Sequence, residues 1–537
     1  MARNRAWSIA KRFMWALRTP PVRRFVSREY TDYLCSSVPP RPHGFSLCGP
    51  QQEISDYVSW PSLTNRGYSA RHLAPASAST LPIPSRPLRV AGATLPASAW
   101  DETTRLWSRV GEMQRCERSN VFFAFFAQWF TDSIFNVNVK DRRRNDSNHD
   151  IDLCQIYGLN EAAARSLRTK DPRARGELAH RVVHGEEYPD LLFELVDGNS
   201  VPRKRYAALP GATSAEIPPD GFPSERRNHF YATGLDRGNS SLGYVAITTL
   251  FLREHNRLSR DLARRNESWS DEQVFQTARN INTVILLKLL VEEYVNHILG
   301  EQLFLLEPKF ADRRSWLRSN WMAIEFNLLY RWHGLIPREL EGLGQAQLGH
   351  LEFRYNNARF EELGLSQTLT ALMAQPAGRI GLRNTADFLL GADYESVCMS
   401  RKFQLQSFNA YCDHFSVPRL RSFDDLTTDP DLRDAISRLY GNDIDRLELI
   451  VGLFAQSPDE GVLFGPLMAR MVAYDALTQI YSNPLLSEHV YGEQTFTSYG
   501  CEQIESTTLE TFVRRNTKDT EQLRVTFDHR QASSAGA

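Results

Sequence analysis

A large, mainly α-helical domain is predicted for residues 100 to 520 of this 537-residue chain. Three observations lead there. Apolar residues recur at spacings of three and four over long windows, strand-like alternation is scarce, and no internal repeat divides the chain into small modules. The length suffices for several ordinary domains or one large domain with appendages, so an extensive core that encloses a cofactor is feasible.

Residues 1 to 28 carry Arg3, Arg5, Lys11, Arg12, Arg18, Arg23, Arg24 and Arg28 with no acid, interleaved with Trp7, Ile9, Phe13, Met14, Trp15 and Leu17. This basic amphipathic segment suits peripheral membrane contact, with aromatics at the acyl boundary and arginines among anionic headgroups. A disordered basic leader or a transit-like peptide is the alternative. No uninterrupted apolar run reaches about 18 residues, so no spanning helix is expected. Nor is a secretory leader, because no clean apolar block precedes a small-residue cleavage site.

Residues 29 to 99 form an N-terminal extension whose last part, 73 to 99, is rich in Pro, Ala and Ser and reads as an extended connector over a surface. Helices follow at about 101 to 117, 119 to 136, 242 to 265, 271 to 299, 314 to 332 and 462 to 482, each carrying the three-and-four periodicity. The Leu and Ile stripe of 281 to 299 is core packing first and channel lining second. Residues 521 to 537 read as a flexible tail.

The 63 basic and 64 acidic residues leave a formal charge of −1, which gives no reason to expect nucleic acid as a partner. Seven scattered cysteines, an odd number, indicate reduced thiols and an intracellular protein, cytoplasmic or peripherally membrane-associated. HExxH, CxxC, GxxxxGK[ST] and helix-opening GxGxxG motifs are all absent, which lowers the prospects of zinc, nucleotide and dinucleotide chemistry.

Two stretches carry other chemistry. "FFAQWFTDSIF", residues 125 to 135, reads as a buried helix with two polar side chains, Gln128 and Asp132, one turn apart and on one face. "AIEFNLLYRWHGLIP", residues 323 to 337, reads as an apolar helix presenting Tyr330 and His333 three apart before stopping near Gly334 and Pro337. A histidine at a helix end with a free ring nitrogen facing a cavity is a usual axial arrangement for haem iron. Taken alone, such a histidine is more often a satisfied core residue.

The order of the motifs carries further. "SWPSLTNRGYSARHLAP", "FFAFFAQWFTDSIF", "HDIDLCQIYG", "TTLFLREHNRLSRDLARRN", "EEYVNHILG", "EFNLLYRWHGLIP", "SFNAYCDHF" and "LYGNDIDRLELIVGL" occur in one sequence. Over about residues 57 to 480 the chain resembles the prostaglandin H synthase, or cyclooxygenase, branch of the animal haem peroxidase superfamily. The resemblance implies haem b as cofactor, with His333 as proximal iron ligand. It further implies Tyr330 as the residue whose radical abstracts hydrogen from a fatty acyl chain, Tyr294 as its hydrogen-bond partner, and Gln128 as the distal glutamine. Unsaturated fatty acid or lipid hydroperoxide, dioxygen and peroxide are the implied partners.

The departures are as informative. Asp132 stands where the family has a distal histidine, whose general acid and base role contributes roughly 10² to 10⁴ in rate. A buried aspartate kept partly protonated could still shuttle a proton; ionised and paired with Arg237, it would leave peroxide cleavage slow. Arg237, 16 residues before Arg253, resembles the distal arginine of mammalian peroxidases. At the positions of the family's calcium loop stand Asn148, Asp150, Asp152 and Cys154, with Ser133 beside the distal position; only Asp152 is retained, and a thiol is a poor ligand for a hard cation. Glu301 occupies the place of the channel-mouth tyrosine and would repel a substrate carboxylate, and Arg28 is a candidate for the channel arginine. The epidermal-growth-factor-like module is missing. "LREHN", residues 252 to 256, reads as a supporting network, and His149 as a loop hydrogen-bonder or a substitute base.

The expected activity is oxygenation of unsaturated fatty acids through a tyrosyl radical, with peroxidase turnover weakened or altered. Alternatives are a haem lipid-hydroperoxide isomerase or peroxygenase, and a non-catalytic haem or lipid binder.

Overall fold

The computed structural model describes residues 19–39, 45–48, 59–87, 94–213, 218, 221–318, 321–344, 347–459, 461–518 and 523–533. Residues 1 to 18, which hold most of the basic amphipathic segment, lie outside them. Among the described residues helices dominate, and the strands occur as five two-stranded antiparallel sheets. The elements that position the site, numbered in chain order, are α1 (Pro20–Cys35), β1 (Arg115–Asn120), α2 (Val121–Thr131), α3 (Leu242–Arg265), α4 (Asp271–Leu289), α5 (Asn296–Leu299), α6 (Ile324–Leu329), β2 (Pro376–Gly378), α7 (Leu390–Lys402) and α8 (Pro466–Tyr481).

At the centre α2 packs on α3. The Asn120 side chain caps α2 by accepting from the Phe123 amide at 3.0 Å. Every residue of α2 is buried apart from Gln128. Gly243 admits the neighbouring helix: a Cβ there would stand 2.3 Å from the Phe125 ring. Trp129 stacks on Phe251 at 4.7 Å and donates its indole N–H to Thr248 at 2.9 Å, so its polar end is satisfied inside the core.

The helix expected over 271 to 299 is continuous but not uniform. Ser270 and Gln273 form a capping box at the start of α4. After Leu289 the chain makes a π-helical turn, Leu290–Val295, before α5 ends at Gly300 with φ +76°. The widened turn shifts the register of Tyr294 relative to α4, and its ring packs on Phe123 and Phe130 at 5.1 and 4.9 Å.

Two expected helices differ. Over 101 to 117 only Glu102–Arg105 is helical, capped by Asp101. The chain then leaves the helix because the Arg109 amide bonds the Thr385 carbonyl at 2.9 Å, Gly111 adopts φ +71°, and β1 pairs with β2. Over 314 to 332 only α6 is helical, since tertiary partners claim the groups before it. The Trp321 indole donates to the Tyr68 carbonyl at 2.6 Å, the Met322 amide to His149 Nδ1 at 3.0 Å, and the Met322 carbonyl accepts from Ala70 at 2.8 Å.

One apolar cluster runs from Leu34 to Phe527. The connector is docked along α7: Arg401 donates to the Pro82 carbonyl at 2.7 Å and the Tyr394 hydroxyl to the Pro84 carbonyl at 3.0 Å. Within the stretch expected as a flexible tail, Leu523 and Phe527 are buried, Phe527 stacking on Phe122 at 5.6 Å. These two apolar side chains tie this part of the stretch to the core. No helix among the described residues is long and apolar enough to cross a membrane.

Candidate active site

His333 opens a 3-10 turn, His333–Leu335, just beyond the end of α6. Tyr330 closes that helix as its C-cap, so the pair spans a helix end and a turn instead of one regular helical face. Gly334 permits the close passage of β2, because a Cβ there would meet the Arg379 carbonyl at 2.8 Å. On α7, Asp393 Oδ1 lies 2.7 Å from His333 Nδ1. A carboxylate only accepts, so the ring donates from Nδ1, which leaves Nε2 for the cavity that His333 lines.

That cavity measures about 280 Å³. Gln128 and Asp132 form part of its wall, the Asp132 amide still bonded to the Gln128 carbonyl at 3.4 Å, so the helical register that aligns them is kept. Asp132 Oδ1 accepts from Arg237 Nη1 at 3.1 Å. Burial pushes the Asp132 carboxyl up; Arg237 and the neighbouring Tyr244 phenol pull it back down. Arg237 is raised, chiefly by Asp132. Its side chain keeps 41% of its surface, turned to the cavity it lines. Arg142 and Arg331 line the same space. Burial first, then the proximity of Arg237, pushes Arg331 down to about 10. It bonds Asn327 Oδ1, while its Nε has no partner among the described residues.

Tyr330 lines this cavity and also a second pocket, apolar and only about 10 Å³, formed by residues that include Phe130, Ile134, Leu290, Tyr294 and Ile480. Among the described residues it is the one common to both linings. Its ring packs on Trp332 at 4.6 Å and edge-on to Phe130 at 5.9 Å. Burial raises both phenols, Tyr294 and Tyr330, and each feels the other. A hydrogen-bonding contribution between the two hydroxyls raises Tyr294 further and opposes the rise at Tyr330.

The remaining sequence candidates fall elsewhere. Glu254 is held by Arg257 and Arg515, and His255 by Tyr157 and the Gly176 carbonyl, both at 2.8 Å; neither residue lines the cavity. His149 bonds the Arg66 carbonyl and the Met322 amide through its two ring nitrogens, so it is a structural tie and not a base in this cavity. Asp152 accepts from the Asn148 side chain at 2.8 Å and the Cys154 amide at 2.9 Å. Arg28 pairs with Glu307 at 2.6 Å. Glu301 is half-buried near Arg118. Sequence reasoning missed Asp393, Arg142, Arg331, Asn327 and Tyr244. Arg331 and Asn327 lie inside the "NLLYRWH" motif and were there to be read; Asp393 and Arg142 reach the site only through tertiary contacts.

The animal haem peroxidase family profile matches residues 118–527, and the chain belongs to that family. It is an enzyme of the peroxidase and oxygenase class, cyclooxygenase-like in sequence. Prostaglandin G/H synthase 1 of Mus musculus is 32% identical over 469 residues, covering 86% of this chain and 73% of the relative. Prostaglandin G/H synthase 2 of Oryctolagus cuniculus is 30% identical over 470 residues, with the same two coverages. Among solved structures, a fatty acid alpha-dioxygenase of Arabidopsis thaliana superposes with TM-score 0.65 at 14% identity, over 94% of this chain and 88% of that one. Peroxidase A from Dictyostelium discoideum gives 0.63 at 17%, over 84% and 95%. At those identities the likeness is one of fold.

The residues present fit haem. His333 offers a ring nitrogen to one face, with Gln128 and Asp132 also in the wall, and Ala124, Ala127, Phe135, Leu335, Ile336 and Leu389 give the apolar surface a macrocycle needs. Three arginines against one cavity carboxylate leave positive charge, including the unpartnered Arg331 Nε, to meet propionates.

Proposed function

We propose that this enzyme oxygenates unsaturated fatty acids through a radical on Tyr330, with peroxide cleavage slowed by Asp132. One observation carries the reading: Tyr330 alone lines both the His333 cavity and the apolar pocket beside Tyr294. Haem b, which His333 would hold, would supply one-electron oxidising power drawn from a peroxide. Tyr330 gives up its phenolic hydrogen as a proton and an electron. The phenoxyl then takes a hydrogen atom from an acyl chain, the carbon radical left behind captures dioxygen, and the resulting peroxyl radical takes a hydrogen atom back from the Tyr330 phenol, giving a hydroperoxide and restoring the phenoxyl. Burial favours this chemistry at Tyr330, because a raised phenol keeps its proton until the electron leaves with it. Trp332 packs on the Tyr330 ring, and Tyr294 stacks in turn on Trp332. At about 10 Å³ the apolar pocket admits an acyl chain only when its side chains swing aside.

Oxygen uptake with C18 and C20 unsaturated fatty acids tests the assignment. Tyr330→Phe is expected to retain the haem Soret band and to lose uptake; uptake at the parent rate in that variant would refute it.

The charge of the cavity favours a second reading, in which a lipid hydroperoxide is rearranged without Tyr330. Arg142 and Arg331 could receive its carboxylate while Asp132 handles the proton of the peroxide. Product analysis with hydroperoxide under anaerobic conditions separates the two: rearranged product formed equally by the parent and Tyr330→Phe supports this second route.

A further inference from the structure

The carboxylate of Asp393 is costly where it sits. The residue is fully buried on α7, its Oδ1 accepts one hydrogen bond, from His333, and its Oδ2 has no partner among the described residues. Removing an ionised carboxylate from water costs several kcal/mol unless charge and hydrogen bonds repay it. An asparagine could accept the same bond from His333 Nδ1 without burying a charge. Arg331 acts on that charge from nearby, and the remaining compensation is to be sought along the imidazole, on the far side of the ring, where Nε2 faces the cavity.

On the reading that haem iron binds there, we propose that Asp393 is a positioning residue that fixes the His333 tautomer and makes it an electron-rich proximal ligand. Ligating histidines commonly donate their second N–H, and a carboxylate acceptor both orients the ring and raises its basicity. A more strongly donating axial ligand stabilises the oxidised metal and favours cleavage of a bound peroxide O–O bond. The two carboxylates would then compensate each other: Asp132 offers a poorer proton shuttle than a histidine, and Asp393 would add electron density at the His333 imidazole.

The test uses hemin-reconstituted full-length protein and its Asp393→Asn variant, with the fold checked by circular dichroism. Asp393→Asn is expected to lower the ferrous iron–imidazole stretching frequency in resonance Raman, to raise the reduction potential, and to weaken haem retention about 10- to 100-fold. Unchanged frequency and potential would overturn the proposal while leaving haem binding at His333 intact. A second measurement leaves Asp393 in place. In His333→Gly, added imidazole, which can donate to Asp393, is expected to restore the parent stretching frequency, and 1-methylimidazole, which cannot, to give a lower one. Equal frequencies for the two ligands would also overturn it. A parent protein that takes up no haem would remove the cofactor reading and this inference with it.

Discussion

Asp132 illustrates how one side chain sets the chemistry at the residue scale. It stands one turn beyond Gln128 at the end of α2 and lines the cavity with a carboxyl bonded to Arg237 at 3.1 Å, where the family resemblance implies an imidazole. Placing an imidazole there with Asp132→His is expected to accelerate the reaction with hydrogen peroxide by roughly 10²-fold or more, read by stopped-flow absorbance. The pH dependence has a definite sign. Only the ionised carboxyl can accept a proton, and burial raises it above the ordinary value of about 3.9, so the rate falls as pH drops through that elevated midpoint. Arg237→Met, by removing the cation that opposes burial, should move this acid limb to higher pH, and Asp132→Asn should abolish it. A limb that stays put in Arg237→Met would show that another group titrates. The site residues legible in the sequence, Gln128, Asp132, Arg237, Tyr294, Tyr330 and His333, are those embedded in local motifs. Asp393 was not, because it meets His333 across 60 positions of chain and its own helix carries no signature.

At the scale of elements, the α2–α3 contact decides where Gln128 and Asp132 stand. Gly243→Ala would drive a methyl into Phe125, and overpacking of this kind costs about 1–3 kcal/mol. A lower denaturant midpoint, with haem affinity reduced in parallel, is the expected outcome; an unaltered midpoint would mean the contact yields freely. The sequence showed α3 at its true limits, and α8 to within four residues at its start and one at its end, because periodicity there matches burial. It overran at 101 to 117 and at 314 to 332, where hydrogen bonds to residues far along the chain replace helical ones. Helix α1 is anchored to the same core by Leu34 and Cys35 and by the pair Arg28–Glu307.

Across the whole molecule, a single core from α1 to Phe527 holds the His333 cavity and the Tyr294 pocket as neighbours, with Tyr330 as the wall they share. The fold class and family were readable from motif order because the motifs are long and consecutive. The place of Arg142 at the cavity and the narrowness of the apolar pocket were not, since both depend on how separate segments converge. The central claim is that oxidising equivalents generated at one cavity reach the other through this phenol. Rapid-freeze electron paramagnetic resonance of hemin-loaded protein mixed with a fatty-acid hydroperoxide addresses it most directly. A tyrosyl signal that forms in the parent, vanishes in Tyr330→Phe while the Soret band remains, and decays on addition of unsaturated fatty acid is the result expected. The same signal in both proteins, indifferent to the fatty acid, would contradict the account.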